Sequence, residues 1–278
     1  MTCGQALGYA RERLSHLDSP SLEAECLLAH ATGMSRLEML VHPDKLLSPD
    51  EESRYADCVS QRAAGRPLAY ITGSKEFLDF SLLTAPGALI PRQETELLCE
   101  RAAARLGAGA RVCDMGTGSG AVAAGIASLV TDCHITACDV SEEALALARR
   151  NLARLGLTDR TETLLTDWFE GLSGRLFDAI VSNPPYIPTA VIDTLEPCVR
   201  DFEPRLALDG GPDGLAAYRV LFTRGKEHLA PGGFIACEIG SDQGEAVCAI
   251  ARSQGFLPEL GKDYAGLDRT VIAGKKDT

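Results

Sequence analysis

The chain has 278 residues, with 27 Lys and Arg against 39 Asp and Glu, a formal net charge of −12. Hydrophobic residues make up 45% and charged residues 24%, the balance of a folded globular chain, which excludes disordered, collagen-like and low-complexity classes. No run approaches the roughly 18 consecutive apolar residues of a membrane helix. Met1 to Gln5, with Arg11-Glu12-Arg13 soon after, lacks the pattern of a secretory leader. A soluble, cytoplasmic protein without membrane contact is expected. The length allows one large domain or one medium and one small. Ten cysteines occur without a C-x-x-C pair or a histidine at zinc spacing, so they read as small buried hydrophobes, with no metal site.

The first 66 residues read as a helical bundle. Ser19-Pro20 opens one helix and Gly33 closes it. Ser35-Arg-Leu-Glu38 is a capping box for a short helix ending near Pro43. Ser48-Pro49-Asp50-Glu51 is a second, for a helix reaching Gly65-Arg66-Pro67. Ala6, Ala10, Leu14 and Leu17 recur at helical spacing. His16, His30 and His42 are scattered and read as structural. From 67 to 90 the pattern changes: Gly73, Phe77, Phe80, Leu82-Leu83 and Pro86-Gly87 predict two short strands and a turn. A further helix is expected between Pro91 and Gly107.

Beyond residue 110 strands alternate with helices. Strands are predicted at Arg111–Met115, His134–Cys138, Thr161–Thr166, Phe177–Ser182, Gly233–Glu238 and Arg269–Ala273. Helices are predicted at Ser119–Leu129, Glu142–Leu155, Gly214–Leu229 and Gln243–Ser253. Such alternation builds a parallel sheet covered on both faces, whose ligands sit beyond the C-terminal strand ends. The domain layout expected is 1–73 helical, 74–90 hairpin linker and 91–278 α/β.

Two motifs fall at those strand ends. Asp114-Met-Gly-Thr-Gly-Ser-Gly120 follows a strand and opens a helix. Its glycines allow a tight turn and close approach of a ligand, but G-x-G-x-G departs from the dinucleotide form G-x-G-x-x-G. Asp139 ends the next strand, where a carboxylate can accept both hydroxyls of a ribose. A plain strand-helix turn and a helix cap are the structural alternatives for these two features. Asn183-Pro184-Pro185-Tyr186 follows the apolar strand Phe177–Ser182. Two prolines fix the backbone and remove N–H donors, leaving carbonyls as acceptors. Asn183 adds a side-chain acceptor and Tyr186 an aromatic face. Such a pocket suits a planar group bearing an NH₂, either a carboxamide or an exocyclic amine.

With Gly73-Ser-Lys-Glu-Phe77, Ile90-Pro-Arg-Gln-Glu-Thr-Glu96, Thr166-Asp-Trp-Phe169 and Phe202-Glu-Pro-Arg-Leu-Ala-Leu208, these motifs span essentially the whole chain. The ordered set resembles the release factor glutamine methyltransferases, the HemK/PrmC family of class I S-adenosylmethionine-dependent enzymes. Gln93 and Ser119 are small departures from the family pattern. The resemblance implies a Rossmann-like, seven-stranded α/β methyltransferase domain preceded by a small helical bundle for substrate recognition and a β-hairpin linker. It implies that Gly116, Thr117, Gly118, Ser119 and Gly120 hold the methionine part of S-adenosylmethionine, Asp139 its ribose, and Trp168 its adenine, with Asn183 beside the cofactor. Asn183 and the Pro184 carbonyl would accept the N–H bonds of a substrate carboxamide, flanked by Pro185, with Tyr186 packing on it. The implied substrate is the glutamine of the Gly-Gly-Gln motif in class I peptide chain release factors. The rival is a nucleic-acid amino methyltransferase for adenine N6 or guanine N2, since a similar pocket can grip a flipped base. Each of the three segments is net negative, which disfavours broad phosphate contact, so no nucleic-acid substrate is expected.

Overall fold

In the computed structural model, which describes residues 1–275, the chain divides into two compact units. The first comprises Met1–Ser74 with Glu196–Phe202, the second Lys75–Leu195 with Glu203 onward.

The first unit holds helices α1 (Cys3–Arg13), α2 (Pro20–Thr32), α3 (Arg36–Val41), α4 (Pro49–Ala63) and α5 (Leu68–Thr72). The predicted boxes are present: Ser35 and Ser48 accept from the amides of Glu38 and Glu51, whose carboxylates reach back to the serine amides. Gly33 closes α2 in the left-handed region. Thr2 and Gln5 form a further box the sequence reading did not pick out, and α5 lies where only strand and turn were expected. The core is built from Leu14, Leu27, Leu28, Tyr55 and Val59, each fully buried. The Tyr55 hydroxyl donates to the Ala24 carbonyl, so its burial leaves no polar group unpaired. His16, His30 and His42 are exposed, and among the described residues no cluster suited to a metal is found.

The second unit begins with the hairpin β1 (Ser74–Phe77) and β2 (Phe80–Leu83), then α6 (Gln93–Ala103). Strands β3 (Arg111–Met115), β4 (His134–Asp139), β5 (Thr161–Leu165), β6 (Phe177–Ser182) and β7 (Leu229–Glu238) alternate with α7 (Ala121–Leu129), α8 (Glu142–Arg154) and α10 (Ala216–Gly225). The short α9 (Pro197–Arg200) belongs to the first unit. α11 (Gly244–Ser253), β8 (Phe256–Lys262) and β9 (Asp268–Lys275) complete the chain.

The sheet has seven strands in the order β5-β4-β3-β6-β7-β9-β8. Five are parallel, while β9 runs antiparallel to both β7 and β8. The seven strands agree with the expected fold, and the alternation of strands and helices holds for the parallel five. β8 was not predicted, because an edge strand carrying Pro258 and Gly261 lacks a continuous apolar run. A strand of that kind also lets the chain return as β9 without a helical crossover.

Alternation of side chains splits the core. Val112, Ala137, Val181 and Ala236 face one side, packed with Leu98, Val122 and Ile126. Cys113, Cys138, Ile180 and Ile235 face the other, packed with Tyr218, Phe222 and Val247. Burying a Leu, Ile or Phe contributes about 1.5–3 kcal/mol, so the doubly covered central strands are the rigid part on which loops can be mounted. The chain runs from β3 outward through β4 and β5, then returns to β6 on the other side of β3. The topological switch point therefore lies between β3 and β6, and a ligand crevice is expected at their C-terminal ends. No helix among the described residues is long and apolar enough to cross a membrane.

Candidate functional site

A cavity of about 640 Å³ opens at that switch point, lined by residues of the second unit alone. Its walls include Gly116 to Ser119 after β3, Asp139 at the end of β4, Thr166 to Trp168 after β5 and Asn183 to Pro185 after β6. The sequence motifs, separated by up to 70 residues, thus converge on one space.

Gly116, Gly118 and Gly120 all have positive φ, 75°, 56° and 84°. A Cβ on Gly116 or Gly118 would meet nothing within 4 Å, so both face open space, whereas a Cβ on Gly120 would sit 3.2 Å from the Ala148 backbone. Gly120 does not line the cavity. It lets α7 approach α8, a packing role rather than a ligand role. The loop amides are largely spent internally: Gly116 and Thr117 donate to the Cys138 carbonyl, Gly118 to Asp139 Oδ2 and Gly120 to the Thr117 carbonyl. A loop built this way offers few N–H groups to a phosphate, unlike the phosphate-cradling glycine loops.

The charge around the loop is negative. Asp114 lies beneath it, with Oδ2 accepting from Thr117 Oγ1 at 2.6 Å and the Ala123 amide at 3.0 Å, while Oδ1 is buried without a partner. Burial pushes its carboxyl up to about 7, with the nearby Asp139 charge adding to the rise. Asp139 is also raised by burial, against hydrogen bonds from the Ser141, Gly118 and Val140 amides. Its Oδ1 accepts from Ser141 and its Oδ2 from Gly118, which fixes the carboxylate and leaves further lone pairs on each oxygen. Asp139 is not the cap of α8; that is Ser141, whose Oγ accepts from Ala144. An unpaired buried carboxylate oxygen, a second carboxylate and two glycines facing open space fit a nucleoside ligand bearing positive charge. S-adenosylmethionine, a sulfonium carrying an ammonium group, is such a ligand.

Trp168 lines the cavity with φ of 50°, uncommon for a bulky residue and costing on the order of 1–3 kcal/mol. The Thr166 hydroxyl donates to its carbonyl, the same Oγ1 accepts from Gly171, and the Thr166 amide donates to the Asp139 carbonyl. The surrounding bonds thus hold a strained tryptophan in the wall next to the Asp139 strand.

At the end of β6, Ser182 Oγ donates to the Met115 carbonyl at 2.6 Å, tying the two strand ends together. Asn183 Nδ2 donates to Thr95 Oγ1 at 3.0 Å, and Thr95 Oγ1 donates to Glu238 Oε2 at 2.7 Å. Among the described residues no donor is bonded to Asn183 Oδ1 or to the Pro184 carbonyl. Tyr186 is placed differently from its neighbours. It is not among the cavity-lining residues; its ring packs against the core beneath β7, burial pushes its phenol up to about 12, and its carbonyl accepts from Gln243 Nε2 at 2.9 Å.

Several residues here escaped sequence reading. Arg92 lines the cavity and pairs at 2.5 Å with the buried Glu203, which also accepts from the Ile90 amide. Asn151 on α8 bonds both the Leu83 backbone and the Ser119 carbonyl, joining hairpin, helix and glycine loop. Thr95, which also lines the cavity, bonds both Asn183 and Glu238, and Gln243 bonds the Tyr186 carbonyl. The only sequence signal for Arg92, Thr95 and Glu203 was their inclusion in the segments Ile90–Glu96 and Phe202–Leu208.

Residues 5–73 match the family model for the PrmC N-terminal domain, and residues 92–201 match the methyltransferase small domain. A release factor glutamine methyltransferase of Moorella thermoacetica is 44% identical over the full length of both chains. One from Geobacter sulfurreducens is 40% identical, covering 95% of this chain and 92% of that protein. A crystal structure of a methyltransferase from Pyrococcus furiosus shares the fold, with TM-score 0.56 and 21% identity over 81% of this chain and 99% of that one.

Proposed function

The chain belongs to the release factor glutamine methyltransferase family, and from that membership we propose that it methylates the side-chain amide nitrogen of the glutamine in the Gly-Gly-Gln motif of class I peptide chain release factors. The observation that supports the reading is that Asn183 and Pro184, which can offer a side-chain and a backbone acceptor, line the same cavity as the glycine loop and Asp139. S-adenosylmethionine is the cofactor, and it supplies an already activated sulfonium methyl.

In this reading Gly116, Thr117, Gly118 and Ser119 take the methionine portion over Asp114, Asp139 takes the ribose, and Trp168 flanks the adenine. Gly120 holds the loop against α8. Asp139→Ala is expected to weaken cofactor binding by about 1.5–3 kcal/mol, roughly ten- to a hundredfold, since hydrogen bonds to a charged group are lost. Calorimetry on the folded variant measures this, and unchanged affinity would remove Asp139 from the ribose site.

An amide nitrogen is a poor nucleophile because its lone pair is delocalised into the carbonyl. Asn183 and Pro184 would each accept one of its N–H bonds, pushing electron density onto nitrogen and fixing its direction of approach. Pro184 and Pro185 keep the backbone stiff, and Tyr186, its carbonyl held by Gln243 and its ring packed into the core, anchors the end of the segment. No strong base stands among these residues, and the nitrogen proton would leave late, to the acceptors or to water. Positioning thus contributes most of what the protein adds.

The N-terminal unit would read the body of the release factor, because one glutamine side chain buries too little surface for a specific complex. Leu37, Leu40 and Val41 on one face of α3 are 68%, 78% and 58% exposed and offer apolar area for such a contact. The reading places the enzyme in the cytoplasm with the translation machinery.

Peptide mass mapping of a release factor after incubation with enzyme and S-adenosylmethionine tests the reading. The tryptic peptide containing the motif should gain one CH₂ unit, on the glutamine alone. Replacing that glutamine by asparagine, shorter by one methylene, should nearly abolish transfer, because the nitrogen no longer reaches its acceptors. DNA and ribosomal RNA assayed in parallel should remain unmodified; methylated adenine or guanine with an inert release factor would transfer the activity to the nucleic-acid reading.

A further inference from the structure

Asn183 can accept from a substrate N–H only when its own amide is the right way round. The two faces of a carboxamide are nearly the same size, so sterics alone do not choose between oxygen and NH₂. The choice is made by its neighbours Thr95 and Glu238. Glu238, at the end of β7 and 1% exposed, can only accept when it is ionised. The Thr95 hydroxyl, 2.7 Å away, must therefore donate to Glu238, and its lone pairs are left to accept from Asn183. That contact requires the NH₂ on the side of Thr95, so Oδ1 is turned away from Thr95.

We propose that Thr95 and Glu238 are positioning residues that lock the polarity of Asn183, so that the site presents an oxygen to its substrate and selects a donating carboxamide over an accepting carboxylate. The proposal rests on the reading above that Asn183 meets the glutamine amide. Its consequence is discrimination between glutamine and glutamate, two side chains of nearly equal shape that differ only in hydrogen-bond polarity.

The lock can be released by a proton. A protonated Glu238 can donate to Thr95, freeing the threonine hydrogen to point at Asn183; the amide can then rotate, and two NH₂ groups face each other across the site. Burial pushes Glu238 up to about 7, with the Glu94 charge adding to the rise and Thr95, Arg269 and Asn183 opposing it. Around it stand Arg269 on β9, Glu94 and Cys99 on α6, Tyr186 after β6 and Tyr218 on α10. Burial raises the cysteine and both tyrosines, which keeps them neutral near pH 7. Asp114 also sits near 7, but it lies under the glycine loop, so its titration reads out in cofactor affinity.

The test uses the full chain with an intact class I release factor carrying glutamine, or glutamate, at the accepting position, at saturating S-adenosylmethionine. Thr95→Val keeps the volume and removes the hydroxyl. It should lower kcat by about ten- to a hundredfold, the range seen when a partner that orients a site ligand is lost. Cofactor affinity should be unchanged, and the glutamate-bearing factor, inert toward the wild type, should become a competitive inhibitor. Thr95→Ser should restore both kcat and discrimination. Wild-type kcat should fall as pH drops through about 7, where a carboxyl of raised pKa gains its proton, and Glu238→Gln should flatten that limb. A Thr95→Val enzyme with wild-type kcat, or unaltered exclusion of the glutamate factor, would overturn the lock alone. A wild-type enzyme that leaves the glutamine unmodified would overturn the substrate reading and the lock with it.

Discussion

Asn183→Ala should reduce turnover by roughly a hundred- to a thousandfold, the effect of deleting one preorganised hydrogen-bonding partner from a transition state. The loss should fall on kcat, measured in single-turnover assays with saturating release factor and cofactor. Affinity for S-adenosylmethionine should hardly change, because the glycine loop and Asp139 are fixed by their own bonds to Cys138, Ser141 and one another. Stability should also hold. Removing the asparagine leaves the Thr95 hydroxyl still donating to Glu238, so no buried charge is stranded. This separates Asn183 from Asp139, whose replacement should act on cofactor binding. A folded Asn183→Ala enzyme with near-wild-type turnover would show that the substrate amide is held elsewhere.

What could be read from the sequence was what is local. Arg111–Met115 and Phe177–Ser182 are short apolar runs ending in Gly- or Asn-Pro-rich segments, and strand, turn and ligand loop are encoded within a dozen residues. The capping boxes at Ser35 and Ser48 are equally local. The supporting bonds are not. Thr95 meets Asn183 across 88 residues and Glu238 across 143, and no spacing rule links such positions before the sheet is folded. Gln243 reaches Tyr186 from 57 residues away. β8 escaped for a different reason: only Phe256 and Gly261 of its seven residues are buried, so neither alternation nor a continuous apolar run marks it. The third glycine of the loop shows the opposite failure. Gly120 was legible as a motif residue, but the sequence cannot distinguish a glycine that admits a ligand from one that admits a helix; the 3.2 Å clearance to Ala148 makes it the latter.

Gly214→Ala should severely damage the methyl-accepting site. Gly214 has φ of 72°, where an L-residue costs about 1–2 kcal/mol. Its Cβ would run into the Tyr186 carbonyl oxygen and come within 2.7 Å of Gln243 Nε2, the two atoms that clamp the Asn-Pro-Pro-Tyr segment at 2.9 Å. Escape on the other side is closed: a Cβ on Gly210 would lie 2.8 Å from the Tyr186 Cα and 2.9 Å from the Gly214 Cα, so three backbones are already in contact. The strain can be relieved only by moving the segment that carries Asn183 and Pro184. A shift of about 1 Å there is enough for roughly a hundredfold loss of rate, and overpacking should lower stability by about 1–3 kcal/mol. Gly174→Ala supplies the control. It has the same left-handed backbone, φ 74°, with nothing within 4 Å of the added methyl, so it carries the backbone strain without the collision. Thermal unfolding should show both variants destabilised, Gly214→Ala more so, whereas turnover should collapse only in Gly214→Ala and cofactor affinity should survive in both. Equal kinetic losses in the two would mean that backbone strain, and not the clamp on Tyr186, governs the geometry of the methyl-accepting site.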